Sequence, residues 1–229
     1  MKFKKVIVPL FLAACMSFTT IAFAQNGELH MLYSGDNYVK QYMDNWCWAA
    51  TGVNLFVAID HTVPSSKSDK EFLLEVVRDV IDNSSQYSPK SGSDNYERYD
   101  VSAGLTQSAE IATKLLHDNG YEDLEYRVST KDGYKVIRSL DHIMADLKDG
   151  CASGIMLEPT AASSNGYYHD VIINGADTTW DDPDDYDVRI FDSSKNSNTW
   201  VPYNDLRKGT SFKLNFKKYT GHCEYYGNF

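Results

Sequence analysis

Apolar residues occupy almost every face of the run Trp48-Ala-Ala-Thr-Gly-Val-Asn-Leu-Phe-Val-Ala-Ile59, which predicts a helix buried in the middle of a domain, with Asp44 and Asn45 in front of it as caps. Residues 68–81 place Phe72, Leu73, Val76, Val77 and Val80 on one stripe, an amphipathic helix starting at Ser68 or Asp69. Between Asn83 and Ala103 the chain turns polar, with Pro89, Gly92 and many Ser, Asn and Tyr; this reads as a long surface loop of the substrate-facing kind. Helical patterns return over residues 106–117, closed by Asn119-Gly120, and over residues 134–148, which carry Val136, Ile137, Leu140, Ile143, Met144 and Leu147. After Gly150 the period shortens. Residues 153–158, 169–176, 186–192, 199–203 and 211–219 have strand composition between turn residues. Helices first and strands afterwards predict an α+β fold with an antiparallel sheet.

The first 24 residues stand apart from this pattern. Lys2, Lys4 and Lys5 precede an apolar stretch from Val6 to Phe23 and the small-residue site Ala22-Phe-Ala24, the layout of a secretory signal peptide. Leu12-Ala-Ala-Cys15 offers a second reading, a lipid anchor at Cys15, although the chain stays apolar after it. The expected organisation is a signal peptide over residues 1–24 and one domain over residues 25–229, a secreted monomer. Only about 22 residues separate Gln25 from Cys47, so no long inhibitory pro-segment is expected. Loss of the three lysines moves the formal charge from −10 to −13. Nucleic acid and anionic membranes both select a basic footprint, so neither is expected as a partner.

Three cysteines remain, Cys47, Cys151 and Cys223, and an odd number in an exported chain suggests a free thiol. Cys151 and Cys223 are either a disulfide or two separate residues, Cys151 then being a small buried apolar side chain. Cys47 stands at the mouth of the predicted buried helix, where helix amides and a neighbouring imidazolium stabilise a thiolate. His169 opens the apolar strand His169-Asp-Val-Ile-Ile-Asn-Gly-Ala-Asp177, and Asp192 ends the next. Asp170 is adjacent to His169 and so faces the other side of the strand; Asp177 is eight residues away; Asp192 is the better orienter. Trp46 and Trp48 flank the thiol and read as cleft wall or as core.

His169 follows Cys47 by 122 residues and Asp192 follows it by 145, an order and spacing that resemble papain-like cysteine peptidases. Gln41, six residues before Cys47, stands at that family's oxyanion-hole glutamine, with the Cys47 backbone N–H as the second donor. A closer resemblance is to the streptococcal immunoglobulin-degrading endopeptidases, the IdeS/Mac family. It rests on Cys47-Trp-Ala-Ala-Thr-Gly-Val-Asn-Leu55, on His169 through Asp177, and on Ile190-Phe-Asp-Ser-Ser194, about 25 residues in all. The resemblance implies a papain-like cysteine peptidase fold, Cys47 as nucleophile, His169 as general base, Asp192 as its orienter, and a protein substrate, host immunoglobulin in that family. Asn37 departs from the pattern, standing where the family carries an oxyanion-site lysine.

Two other classes compete. A transglutaminase-like acyltransferase also uses Cys, His and Asp in this order, but with a shorter interval than 122 residues between the first two. A non-catalytic papain-fold binding protein has no chemical need of the Cys-His pair. The run Asp181-Asp-Pro-Asp-Asp-Tyr-Asp187 carries calcium-type ligands yet lacks the EF-hand glycine and terminal glutamate, so it reads as a solvated turn. No Cys/His spacing suggests zinc, and neither cofactor nor metal is expected.

Overall fold

Helix α1 (Cys47–Asp60) buries twelve of its fourteen residues, as its near-continuous apolar pattern requires. Trp46 is its N-cap and makes no side-chain cap bond, and Asp44 and Asn45 do not cap it either. Packing decides: a missing cap costs about 1 kcal/mol, whereas full burial of each of Val53, Leu55 and Phe56 contributes about 1.5–3 kcal/mol. His61 ends the helix in the left-handed conformation at φ 65°. Helix α2 (Asp69–Asp82) begins at a capping box in which Ser68 accepts from the Glu71 N–H, and it buries Phe72, Leu73, Val77 and Ile81.

The computed structural model describes residues 27–32, 37–131, 134–135, 138–159, 168–208 and 216–226. The segment expected to be a signal peptide, Cys15 and residues 211–215 of the last expected strand lie outside them. Among the described residues no helix is long and apolar enough to cross a membrane.

The polar stretch between Asn83 and Ala103 is not a plain surface loop. It contains the short helix α3 (Asn95–Arg98), and Tyr99 and Val101 are buried. Helix α4 (Leu105–Asp118) then crosses α1 so closely that a Cβ on Gly52 would stand 2.7 Å from the Ser108 carbonyl oxygen and 2.8 Å from Ile111 Cβ. Helix α5 (Leu140–Lys148) is shorter than the pattern suggested. Tyr134–Lys135 instead forms strand β4, paired with β3 (Thr130–Lys131) in a separate two-stranded sheet.

The main sheet has seven strands, all pairs antiparallel, in the order β2 (Glu125–Val128), β9 (Phe216–Tyr226), β5 (Ser153–Pro159), β6 (His169–Asp177), β7 (Asp187–Asp192), β8 (Ser197–Pro202). Strand β1 (Leu29–Met31) pairs with the far half of β6, beyond β5. The α+β expectation therefore holds, with six α-helices and this sheet among the described residues. Side chains alternate between two cores. Ala152, Ile172, Phe191 and Cys223 face α1, α2 and α4, while Ile155, Leu157, Val171, Ile173, Val188 and Ile190 face α5 and α6 (Tyr203–Lys208).

Candidate active site

His169 is the first residue of β6 and Asp192 the last of β7, and these strands are antiparallel neighbours, so both stand at one end of the sheet. They share a face as well, His169 in phase with Val171 and Ile173, Asp192 with Val188 and Ile190. His169 Nε2 lies 2.8 Å from Asp192 Oδ1. The same oxygen accepts from the Ser194 backbone N–H at 3.0 Å and from Ser194 Oγ at 2.7 Å, an Asx turn that fixes the carboxylate beyond the strand end. Lys195 Nζ stands 3.4 Å from Oδ2.

The N-terminus of α1 delivers Cys47 to this pair. Cys47 stands near enough for its side chain to act on the His169 ring, whose Nε2 is held by Asp192. Cys47 is 7% exposed, His169 8% and Asp192 2%, so the three form a nearly dry cluster. Burial alone would lower the His169 pKa. The hydrogen bonds to Asp192 and Cys47 and their charges prevail and push it up to about 10. For Asp192 burial acts upward, and the hydrogen bond and charge of His169, with Ser194 and Lys195, bring it well below the ordinary carboxylate range. The arrangement favours an imidazolium beside the Asp192 carboxylate.

Residues 37–41 run back along α1 from its C-terminal to its N-terminal end. Asn37 Nδ2 donates to the His61 carbonyl at 2.7 Å, so it caps the far end of the helix and stands away from Cys47. The Val39 N–H donates to Asn54 Oδ1 at 2.7 Å, and Asn54 Nδ2 donates back to the Val39 carbonyl at 3.0 Å. The Gln41 N–H donates to the Ser193 carbonyl at 3.0 Å, tying this segment to the turn after Asp192. Gln41 Nε2 donates to the carbonyls of Met43 at 2.7 Å and Asp44 at 2.9 Å. Both amide hydrogens are thus engaged in the turn before α1. The Cys47 N–H, at the first position of the helix, has no intrahelical acceptor.

Trp46 and Trp48 are core, not cleft wall: both are fully buried, and their indole N–H groups donate to the carbonyls of Tyr99 at 2.8 Å and Val101 at 2.9 Å. Asn45 donates through its backbone N–H to Asp100 Oδ1 and through Nδ2 to Asp100 Oδ2, each at 3.0 Å. Residues 99–101 therefore grip the turn that precedes Cys47. Sequence reasoning missed Asn54, Asp100 and Ser194. Asn54 left a signal, an amide inside an otherwise apolar helix; Asp100 left none.

The other candidates fall elsewhere. Asp170 faces the helices, with Ser108 Oγ donating to its Oδ2 at 3.3 Å. Cys151 and Cys223 are free thiols, so the disulfide alternative is not realised; burial pushes both thiols up in pKa and makes them poor nucleophiles. In the acidic turn, Asp182 accepts from the Asp184 N–H and Asp184 accepts from Asn204 Nδ2; no metal-holding cluster of three occurs among the described residues. A groove of about 1190 Å³ between α2 and α4, lined by Phe72, Val76, Ile111 and Leu115, contains none of Cys47, His169 and Asp192. No protein-family model matches the chain, and no curated protein matches it.

Proposed function

We propose that the protein is a secreted cysteine endopeptidase of papain-like fold, with Cys47 as nucleophile, His169 as general acid-base and Asp192 as the group that orients His169. The observation that carries this reading is the His169 ring held by Asp192 at 2.8 Å with the helix-mouth thiol of Cys47 acting on the same ring. The thiolate attacks the scissile carbonyl carbon, and the electron pair moves to oxygen. The Cys47 N–H is the first donor to that oxyanion. Gln41 acts as the second by turning one amide hydrogen from the Asp44 carbonyl, the longer of its two bonds, towards the substrate. Collapse breaks the C–N bond, His169 protonates the leaving amine, and water activated by the now neutral ring hydrolyses the thioester.

The family resemblance suggests immunoglobulin as substrate, and Asn37, at the opposite end of α1, is the residue at which that specificity is least transferable. The test is incubation of intact IgG and of casein, each with a primary amine present, with the wild type and with Cys47→Ala. The reading expects new chain termini with the wild type alone. Amine incorporation without cleavage would make it a transglutaminase-like enzyme, and neither reaction would leave the binding-protein reading.

A further inference from the structure

We infer that Asp100 is a positioning residue for the Cys47 nucleophile, the central grip of a clamp made by Tyr99, Asp100 and Val101. The inference rests on the peptidase reading of Cys47. Three consecutive residues of one segment hold the three residues around the thiol: Asp100 binds Asn45, Tyr99 O binds Trp46, and Val101 O binds Trp48. Tyr99 and Val101 are buried, whereas Asp100 is half-buried and has Lys90 Nζ 3.8 Å from Oδ2. The two carbonyl contacts accordingly anchor the segment in the core, and the carboxylate reaches out to the turn.

The need for such a grip comes from the helix itself. The N-cap Trp46 provides no side-chain acceptor, so the start of α1 is not fixed by its own cap. The turn before it is held at Gln41 by Ser193 and within itself by the Trp46 N–H to the Met43 carbonyl at 3.2 Å and by Gln41 Nε2 to the carbonyls of Met43 and Asp44, none of which holds Asn45. Asn45, two residues before the nucleophile, is held from outside, and the charge-assisted pair of bonds to Asp100 does it. Cys47 Sγ and the Cys47 N–H ride on the same backbone, so a shift of Asn45 displaces the attacking atom and the oxyanion donor together.

The test compares wild type, Asp100→Ala, Asp100→Asn and Asn45→Ala as full chains, with circular dichroism to establish folding. The readouts are the pH profile of Cys47 alkylation by iodoacetamide and the split of casein cleavage into kcat and KM. Asp100→Ala is expected to slow alkylation at neutral pH and to lower kcat by about tenfold to a hundredfold with KM little changed, the cost of a displacement on the order of 1 Å. Asp100→Asn keeps an oxygen acceptor for the Asn45 N–H and should lie between wild type and Asp100→Ala, with Asn45→Ala beside it. A folded Asp100→Ala with the wild-type profile and kcat overturns the inference and leaves the peptidase reading standing. A wild-type Cys47 that labels no faster than a model thiol and cleaves nothing overturns both.

Discussion

Replacing Asp192 by asparagine removes a charge and leaves an oxygen able to stand where Oδ1 stands, still able to accept from His169 Nε2 and from the two Ser194 donors. What is lost is electrostatic. Opposite unit charges at the observed 2.8 Å attract by about 6 kcal/mol at an effective dielectric of about 20. A neutral hydrogen bond retains about 1 kcal/mol of that, and relief of the buried pair's desolvation offsets a further about 1–2 kcal/mol. About 3–4 kcal/mol remains, or about two to three powers of ten in the population of the charge-separated Cys47–His169 pair. Turnover of casein by Asp192→Asn should fall by that factor. Alkylation of Cys47 at neutral pH should fall less, by about thirtyfold at most, because an ordinary thiol is already a few per cent thiolate there. The two assays on one folded variant therefore diverge. If Asp192→Asn turns over casein and alkylates at wild-type rates, Asp192 does not support the imidazolium.

Stability should depend on pH in two opposite ways. The raised His169 pKa contributes stability that is full below about 6.5 and is lost as pH rises through about 10. The depressed Asp192 pKa contributes stability that is full above about 3.8 and is lost in stronger acid. Thermal unfolding across this range should show both limbs, and His169→Ala should flatten the alkaline one. Asp146 is pushed up to about 6 by burial, against the Ser153 hydrogen bond and Arg138, so its ionisation opposes folding as pH rises from about 3.8 through 6. Asp146→Asn should be more stable by about 1–3 kcal/mol in urea unfolding near pH 8, with the gain disappearing near pH 4; a pH-independent effect would rule out this cause. Asn54→Ala strands the buried Val39 N–H and carbonyl and should cost about 2–4 kcal/mol; a cost under about 1 kcal/mol would mean that water replaces the amide.

The parts of the fold that were legible in the sequence are those fixed by local pattern. The buried run from Trp48 to Ile59, the helix starting at Ser68 or Asp69, and the strands starting at Ser153 and His169 all appear within a residue or two of their expected places. Elements that depend on distant pairing were not legible. Strand β2 is four residues long and exists through its register with β9, and Gly221-His222-Cys223, beyond the last expected strand, lies in a strand between β2 and β5. The stretch at Tyr134 and Lys135 has apolar neighbours compatible with either period, and pairing with β3 decided for strand. At the site, one-dimensional offsets singled out Cys47, His169 and Asp192, whereas side-chain directions depend on neighbours. Gln41 holds the expected offset, yet nearby carbonyls take both its hydrogens. Asp100 lies 55 residues from its partner Asn45, in a polar stretch with other acids, so nothing local distinguishes it.

The central claim is that His169 makes Cys47 a nucleophile unlike the other two thiols of the domain, and site-resolved alkylation tests it within one molecule. Native protein treated with iodoacetamide at neutral pH and mapped by mass spectrometry should label Cys47 well ahead of a model thiol and leave the buried Cys151 and Cys223 unmodified; His169→Ala should remove the advantage of Cys47. Equal labelling of the three thiols, or a Cys47 rate that matches the model thiol or is indifferent to His169, would contradict the account.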